Sequence, residues 1–538
     1  MLRVTAILAG RAYAREHQEA VITHSDGTNG GAPAAADVGP DEIPRHVKLV
    51  IALLLGATFV VILNETLLAV ALTPLMEALD ITASTAQWLT TAFMLTMAVV
   101  IPTTGAIIDR FSTRAVYFAA MILFALGTLV AAVAPGFEML LAGRIIQASG
   151  TALMMPLLMT TIMTFVPPAR RGAMMGLATI VISVAPAIGP TVSGLIVDSL
   201  SWRWLFVLTL PLSATALIAG HRLVTNIGET RPARFDLLSV VLSAVAFGGL
   251  VYGLSGIGAA SQGEVPIEPR YPLIAGVLAL AAFVGRQFQL QRRDTALLDL
   301  RAFRSRTFTM SLVQMVIVMG SLFGAIILLP IYTQEVLGFS TLKTGLLMLP
   351  GGLAMGICGP LVGRVYDRVG PGPLVLPGAI CVSAAMWAMT RLDGGTHAGY
   401  VVGVYVALSV GLGLMMTPLF TSGLGSLPMH LYSHGSAILA TLQQLAGAAG
   451  TALFITLLAT GATDAAKDGA SEAAARIAGV NEAFTVGAYI SLAAIALAVF
   501  ARRSRRDPPG GEAPVGVDGA GDTAVAPSAV PGELALGD

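Results

Sequence analysis

Fourteen apolar runs are spaced along the chain, from residues 49–76 to 483–501, each 18 to 28 residues long. A helix crossing a bilayer needs about 20 predominantly apolar residues. The hydrocarbon holds no water to satisfy a free peptide group, so a chain with such runs must thread the membrane as helices. The expected fold is therefore an all-α polytopic membrane protein with 14 transmembrane helices. Composition agrees: 55% of residues are hydrophobic and 12% charged, against about 25% charged in an ordinary soluble domain.

Charge placement tests the count independently, because Lys and Arg gather on the cytoplasmic side of a membrane protein. With the N-terminus in the cytoplasm, 24 of the 31 basic residues fall in cytoplasmic segments and six in outer ones; one, Arg144, stands within a run. The protein is thus expected in the cell membrane with both termini in the cytoplasm, residues 1–46 and 507–538 being polar, solvated tails. The net charge is zero, which gives no field for a nucleic-acid partner. The two cysteines, Cys358 and Cys381, form no disulfide framework, and none of the seven histidines stands at metal-ligand spacing. No phosphate-binding GxxxxGK[ST] loop occurs, and nothing resembles a cluster of nucleophile and base. The expectation is a protein that is not an enzyme, has no cofactor and no metal, and draws on an ion gradient.

An internal repeat organises the chain. "GAIIDRFSTR" (105–114) follows the second run and "GRVYDRVGPG" (363–372) follows the tenth. Gly105 and Gly363 let two helices approach closely. Asp109 and Asp367 are expected beside the N-terminus of the next helix, where its dipole favours a carboxylate. Arg110, Arg114 and Arg368 can pair with carboxylates or lipid phosphates. Two copies at equivalent positions divide the chain into a six-helix bundle (47–222), two inserted helices with linkers (223–307) and a second six-helix bundle (308–506).

The residue that bears most on function is Glu65, inside "VVILNETLLAVALTPL" (60–75). It lies about 24 Å along its run at 1.5 Å per residue, well within the slab. A charge there costs from about 2.5 kcal/mol upward, so such a residue normally faces a cavity and marks a pathway. Burial penalises the charged form, which is the property a proton carrier needs. Arg144 is its obvious partner, either as a static strut or as a switch that changes partners, and Asn64 and Thr66 can supply hydrogen bonds nearby. Glu335 is expected at an outer helix end in a structural role. The outer segment 461–482 is Ala-rich and reads as a short surface helix.

Several motifs resemble those of the fourteen-helix drug:proton antiporter branch of the major facilitator superfamily. They are the repeated Gly-x-x-x-Asp-Arg turn, "LLAGRIIQASG" through Arg144, Gln147 and Gly150, and "APAIGPTVSG" through Gly189, Pro190 and Gly194. In the last, Ala185 and Ser193 stand where the branch usually has glycine. "LNETLLAVALTPL", "WRWLF" and "HGSAILATLQQLAGAAGTAL" add to the likeness. The resemblance implies two bundles around a central cavity, with alternating access. It implies proton-coupled export of lipophilic or cationic small molecules, with a metabolite exporter or importer as the alternative. Glu65 and Arg144 would couple protons, and Asn64, Glu65, Thr66 and Gln147 would line the substrate site. The repeated turns would gate; Gly189 and Pro190 bend their helix and let it pack tightly, either as a gating hinge and seal or as a packing kink. Protons, lipids and small molecules are the expected partners of a monomer.

Overall fold

A computed structural model describes residues 43–224, 226, 236–260 and 267–504. The expected tails lie outside these residues, apart from 43–46. The first six helices are α1 (Arg45–Leu79), α2 (Ala83–Arg110), α3 (Thr113–Ala132), α4 (Phe137–Phe165), α5 (Arg171–Ser199) and α6 (Trp204–Leu223). Two more, α7 (Leu237–Ala260) and α8 (Arg270–Gln291), precede the remaining six. These are α9 (Arg306–Ile331), α10 (Thr341–Val369), α11 (Gly372–Met389), α12 (Ala398–Gly425), α13 (Tyr432–Lys467) and α14 (Glu472–Ser504). Among the described residues, fourteen helices are long and apolar enough to cross a membrane.

Local chemistry sets the breaks between them. Ser112 and Ser340 cap α3 and α10, each hydroxyl accepting from an N–H of the first turn. Pro167 and Pro168 separate α4 from α5. At the end of α10, Gly370 adopts φ 73°, a conformation that favours glycine. The segment 461–482 does not form a helix of its own. The last turns of α13 and the first turns of α14 take up most of it, because the alanines that favour helix continue both outward. At about 1.5 Å per residue, the 36-residue α13 is roughly 54 Å long. Glu335, in a π-helical turn after α9, pairs with Arg476 of α14.

Small residues decide where the two six-helix groups meet. Along the α5–α10 seam, Gly172 and Gly176 face Gly363 and Gly359, and a methyl on any of the four would strike backbone of the opposite helix. The other seam joins α2 and α4 to α13 through Phe93, Met97, Ile101, Ala148, Ala152 and Ala440. The inserted α7 packs on both α2 and α13 and so covers that seam. Trp88 of α2 and Tyr252 of α7 stack at 5.8 Å between centroids. At one end of the inserted pair, Arg286 of α8 forks onto Asp236, with both N···O distances 2.8 Å. Those hydrogen bonds hold the Asp236 carboxyl well below the usual range, against the opposing effect of partial burial.

Candidate functional site

Glu65 lies on α1, about 30 Å from the start of that helix. Its side chain is half-buried, whereas the groups around it are sealed: Asn64 is 2% exposed, Arg144 1% and Gln147 0%. Arg144 of α4 is close enough to act on Glu65 electrostatically, yet the two form no ion pair. Among the described residues the Glu65 carboxylate accepts no hydrogen bond.

The Arg144 guanidinium is held instead by neutral groups. Its Nη1 donates to Gln147 Oε1 at 2.6 Å and to Asn64 Oδ1 at 3.3 Å. Gln147 follows Arg144 by three residues, so both project from one face of α4. The guanidinium carbon lies 4.0 Å from the centroid of the Phe93 ring on α2, a cation–π contact that strengthens in a desolvated site. Two hydroxyls extend the chain of bonds. Gln147 Nε2 donates to Thr128 Oγ1 on α3 at 2.7 Å, and Asn64 Nδ2 donates to Thr209 Oγ1 on α6 at 3.3 Å. Arg144 Nε is buried with no partner. Five helices thus converge on one cation that has no paired anion, an arrangement that costs several kcal/mol unless a nearby field offsets it. Among the described residues, Glu65 is the carboxylate near enough for its field to act on Arg144.

Two expected roles change. Asn64 and Thr66 do not bond to Glu65: the Asn64 amide spans Arg144 and Thr209, and the Thr66 hydroxyl turns back to Leu63 O at 2.9 Å. Of the four residues expected to line a substrate site, Asn64 and Gln147 are closed off because both ends of each amide are engaged inside the bundle. Glu65 and Thr66 keep accessible surface. Thr128 and Thr209 were not among the expected residues; a threonine inside an apolar run carries no signal of its own.

Next to Glu65, α5 presses on α1. A methyl at Gly189 would collide with Thr66. Ser193, one of the two non-glycine positions in the α5 motif, donates its hydroxyl to Leu67 O at 2.6 Å. Gly194, by contrast, faces open space. Pro186 and Pro190 both lie inside α5, and each removes one backbone hydrogen bond from it.

The repeated turns do something the sequence reading missed. Asp367 Oδ1 and Oδ2 accept from the backbone N–H groups of Gly172 at 2.7 Å and Ala173 at 2.9 Å, at the start of α5. Asp109 Oδ1 accepts from Ser433 Oγ at 2.5 Å, and its Oδ2 lies 3.3 Å from His434 Nε2, at the start of α13. Each carboxylate therefore grips the fifth helix of the other half rather than the N-terminus of the next helix. The next helices have less need of it: Ser112 caps α3, and α11 starts among Pro371 and Pro373, which have no N–H. Gly105 and Gly363 bring the chains close enough, as their motif implies. A methyl at Gly105 would lie 3.2 Å from His434 Cα, and one at Gly363 would strike Gly172 O. Arg171 of α5 donates to the Tyr432 hydroxyl at 3.2 Å and adds a third tie between the halves. Arg110 lies over the Phe111 ring, Arg114 donates to His221 O at 3.3 Å, and Arg368 is exposed.

Two six-helix groups fastened to each other at one end, around interior charges, define a polytopic membrane carrier. Residues 54–451 match the Major Facilitator Superfamily, and the chain belongs to that family. The lincomycin resistance protein LmrB of Bacillus subtilis is 38% identical over 469 residues, which are 86% of this chain and 97% of the relative. An uncharacterized MFS-type transporter of the same organism, YcnB, is 38% identical over 87% of this chain and 97% of its own length. A multidrug resistance protein B homolog of Mycobacterium tuberculosis is 29% identical over 73% of each chain. In fold, the chain is similar to the crystal structure of the human organic anion transporter MFSD10, with TM-score 0.61 at 16% identity, covering 85% of this chain and 100% of that one. The protein is a multi-pass cell-membrane transporter, not an enzyme.

Proposed function

We propose that this transporter exports lipophilic or cationic small molecules, antibiotics among them, in exchange for protons, and that Glu65 is the exchanging group. The observation that carries the reading is an interior carboxylate that is partly accessible, accepts no hydrogen bond and stands beside a buried arginine it does not pair with. Such a group is free to be neutralised by a proton or by a substrate cation. Both together would leave surplus charge in a low-dielectric site, so each displaces the other. Protons driving in from outside then expel substrate, and release of the proton inward reloads the site. The names of relatives at 37 to 38% identity support an antibiotic substrate.

The gathering of basic residues supports a cytoplasmic position for the end bearing Asp109 and Asp367, with both termini. Ties across the two halves at that end describe a state closed inward. Gly105, Asp109, Arg110, Arg114, Gly363, Asp367 and Arg368 form this gate, and Gly189 with Pro190 lets α5 bend and seal against α1. The carrier works as a monomer, within lipid.

The test is accumulation of a cationic dye and of lincomycin in an efflux-deficient host, with and without a protonophore. Expression lowers accumulation, the protonophore restores it, and Glu65→Gln behaves as the empty host with the protein present in the membrane. Full, protonophore-sensitive export by Glu65→Gln overturns the assignment. A panel of drugs and dyes left unmoved by the wild type directs the search to a single metabolite instead.

A further inference from the structure

Two threonines decide which way the amides around Arg144 face. Thr128 Oγ1 donates its one proton to Phe124 O at 2.7 Å, back along its own helix. Its oxygen can then only accept from Gln147, which turns the NH2 of that amide to Thr128 and its oxygen to Arg144. Thr209 repeats the device on α6: its proton goes to Leu205 O at 2.7 Å, and its oxygen receives Asn64 Nδ2. Both amides therefore present oxygen to the same nitrogen, Arg144 Nη1.

We infer that Thr128 and Thr209 are positioning residues for the exchange at Glu65: by fixing the amides of Gln147 and Asn64, they hold Arg144 on neutral oxygens and keep it from pairing with the carboxylate. The inference rests on the proton-exchange reading of Glu65 and adds to it the reason the carboxylate stays available. Neutral acceptors satisfy the cation without cancelling the charge of Glu65. Without the threonine oxygens each amide NH2 loses its acceptor and the amide is free to swing away, so its oxygen no longer holds the guanidinium in place and the nearest strong acceptor for Arg144 becomes Glu65. Among the described residues no other charged group of α1 to α6, or of α13 packed on α4, stands at this depth. Arg45, Lys48 and Glu77 of α1, Asp109 and Arg110 of α2, Arg114 of α3, Glu138 of α4, Arg171 of α5, Arg222 of α6, and His434, Asp464 and Lys467 of α13 all stand near helix ends.

The experiment measures drug-driven proton release from proteoliposomes across pH 5 to 9 for the wild type, Thr128→Val, Thr128→Ser, Thr209→Val and Glu65→Gln. Valine keeps the shape of threonine and removes its oxygen. An arginine paired with the carboxylate holds it ionised to lower pH, so in Thr128→Val the midpoint of the profile moves to more acid pH by about one unit or more. Thr209→Val moves it the same way by less, because its contact with Asn64 is longer than that of Thr128 with Gln147. Thr128→Ser, which retains the oxygen, restores the wild-type profile. Wild-type midpoints in well-folded valine variants overturn the inference, as does a serine variant that fails to rescue. Should Thr128→Val not reach the membrane, Thr128→Ala removes the same oxygen, and Thr209→Val puts the question from the opposite end of the chain of bonds. The two readings fail separately: proton release surviving in Glu65→Gln defeats the Glu65 assignment, whereas its loss there with unmoved valine midpoints defeats only the role of the threonines.

Discussion

Replacing Asp367 with Asn tests the fastening between the halves. The carboxylate of Asp367 takes two backbone N–H groups at the start of α5, and hydrogen bonds to a charged group contribute about 1.5 to 3 kcal/mol each. Asn keeps one carbonyl oxygen for one of the two N–H groups. The other would meet an NH2, and the attraction of a full charge for the helix end, about 0.3 to 1 kcal/mol, disappears. We expect the closed state to lose about 2 kcal/mol, which divides the ratio of closed to open by roughly thirty. Spin labels at the exposed positions Ala169, before α5, and Arg364, on α10, report this directly once Cys358 and Cys381 are replaced. Double electron–electron resonance on Asp367→Asn should show a second, longer distance at the expense of the short one. A distance distribution identical to that of the unmutated label pair would refute the reasoning that this carboxylate holds the end shut.

Two further outcomes follow from packing and charge. Gly189→Ala drives a methyl into Thr66 and should destabilise the protein by about 1 to 3 kcal/mol; a lower melting temperature and slower export are expected, and no change in either would mean α5 and α1 can separate freely. Asp236 has its carboxyl depressed by Arg286, so its stabilising effect is complete above the ordinary carboxylate range and is lost only as pH falls through its own lower value. Asp236→Asn should therefore lower the melting temperature by the same amount at pH 7 and pH 5, and a deficit that shrinks at pH 5 would contradict that sign.

The helices were legible because each run must satisfy its own peptide groups in lipid, and hydropathy reports that requirement residue by residue. Glu65 and Arg144 stood out for the same reason, as charged residues inside apolar runs. Their relation was not. The sequence makes Arg144 the natural counter-ion, whereas the fold supplies it with Gln147 from its own helix face, Asn64 from α1 and the ring of Phe93 from α2, and only the three-dimensional arrangement brings these together. Asp109 and Asp367 show a similar limit: a carboxylate after a helix reads as a cap for its neighbour, and nothing local tells that Ser112 already fills that place. Thr128 and Thr209 were invisible because their role depends on where a single proton points.

The crossed grips of Asp109 and Asp367 also bear on leakage. Each second helix holds the fifth helix of the opposite half, so the two attachments span the same split in parallel, and releasing one leaves the other still bridging it. If that end is the inner mouth, as proposed, it opens only when both grips and the Arg171–Tyr432 bond give way in the same event, which makes a half-ajar form, with a water path to both compartments, a rare species. For the proposed exchange of protons for cargo that rarity matters, since every such form would dissipate the gradient without moving anything.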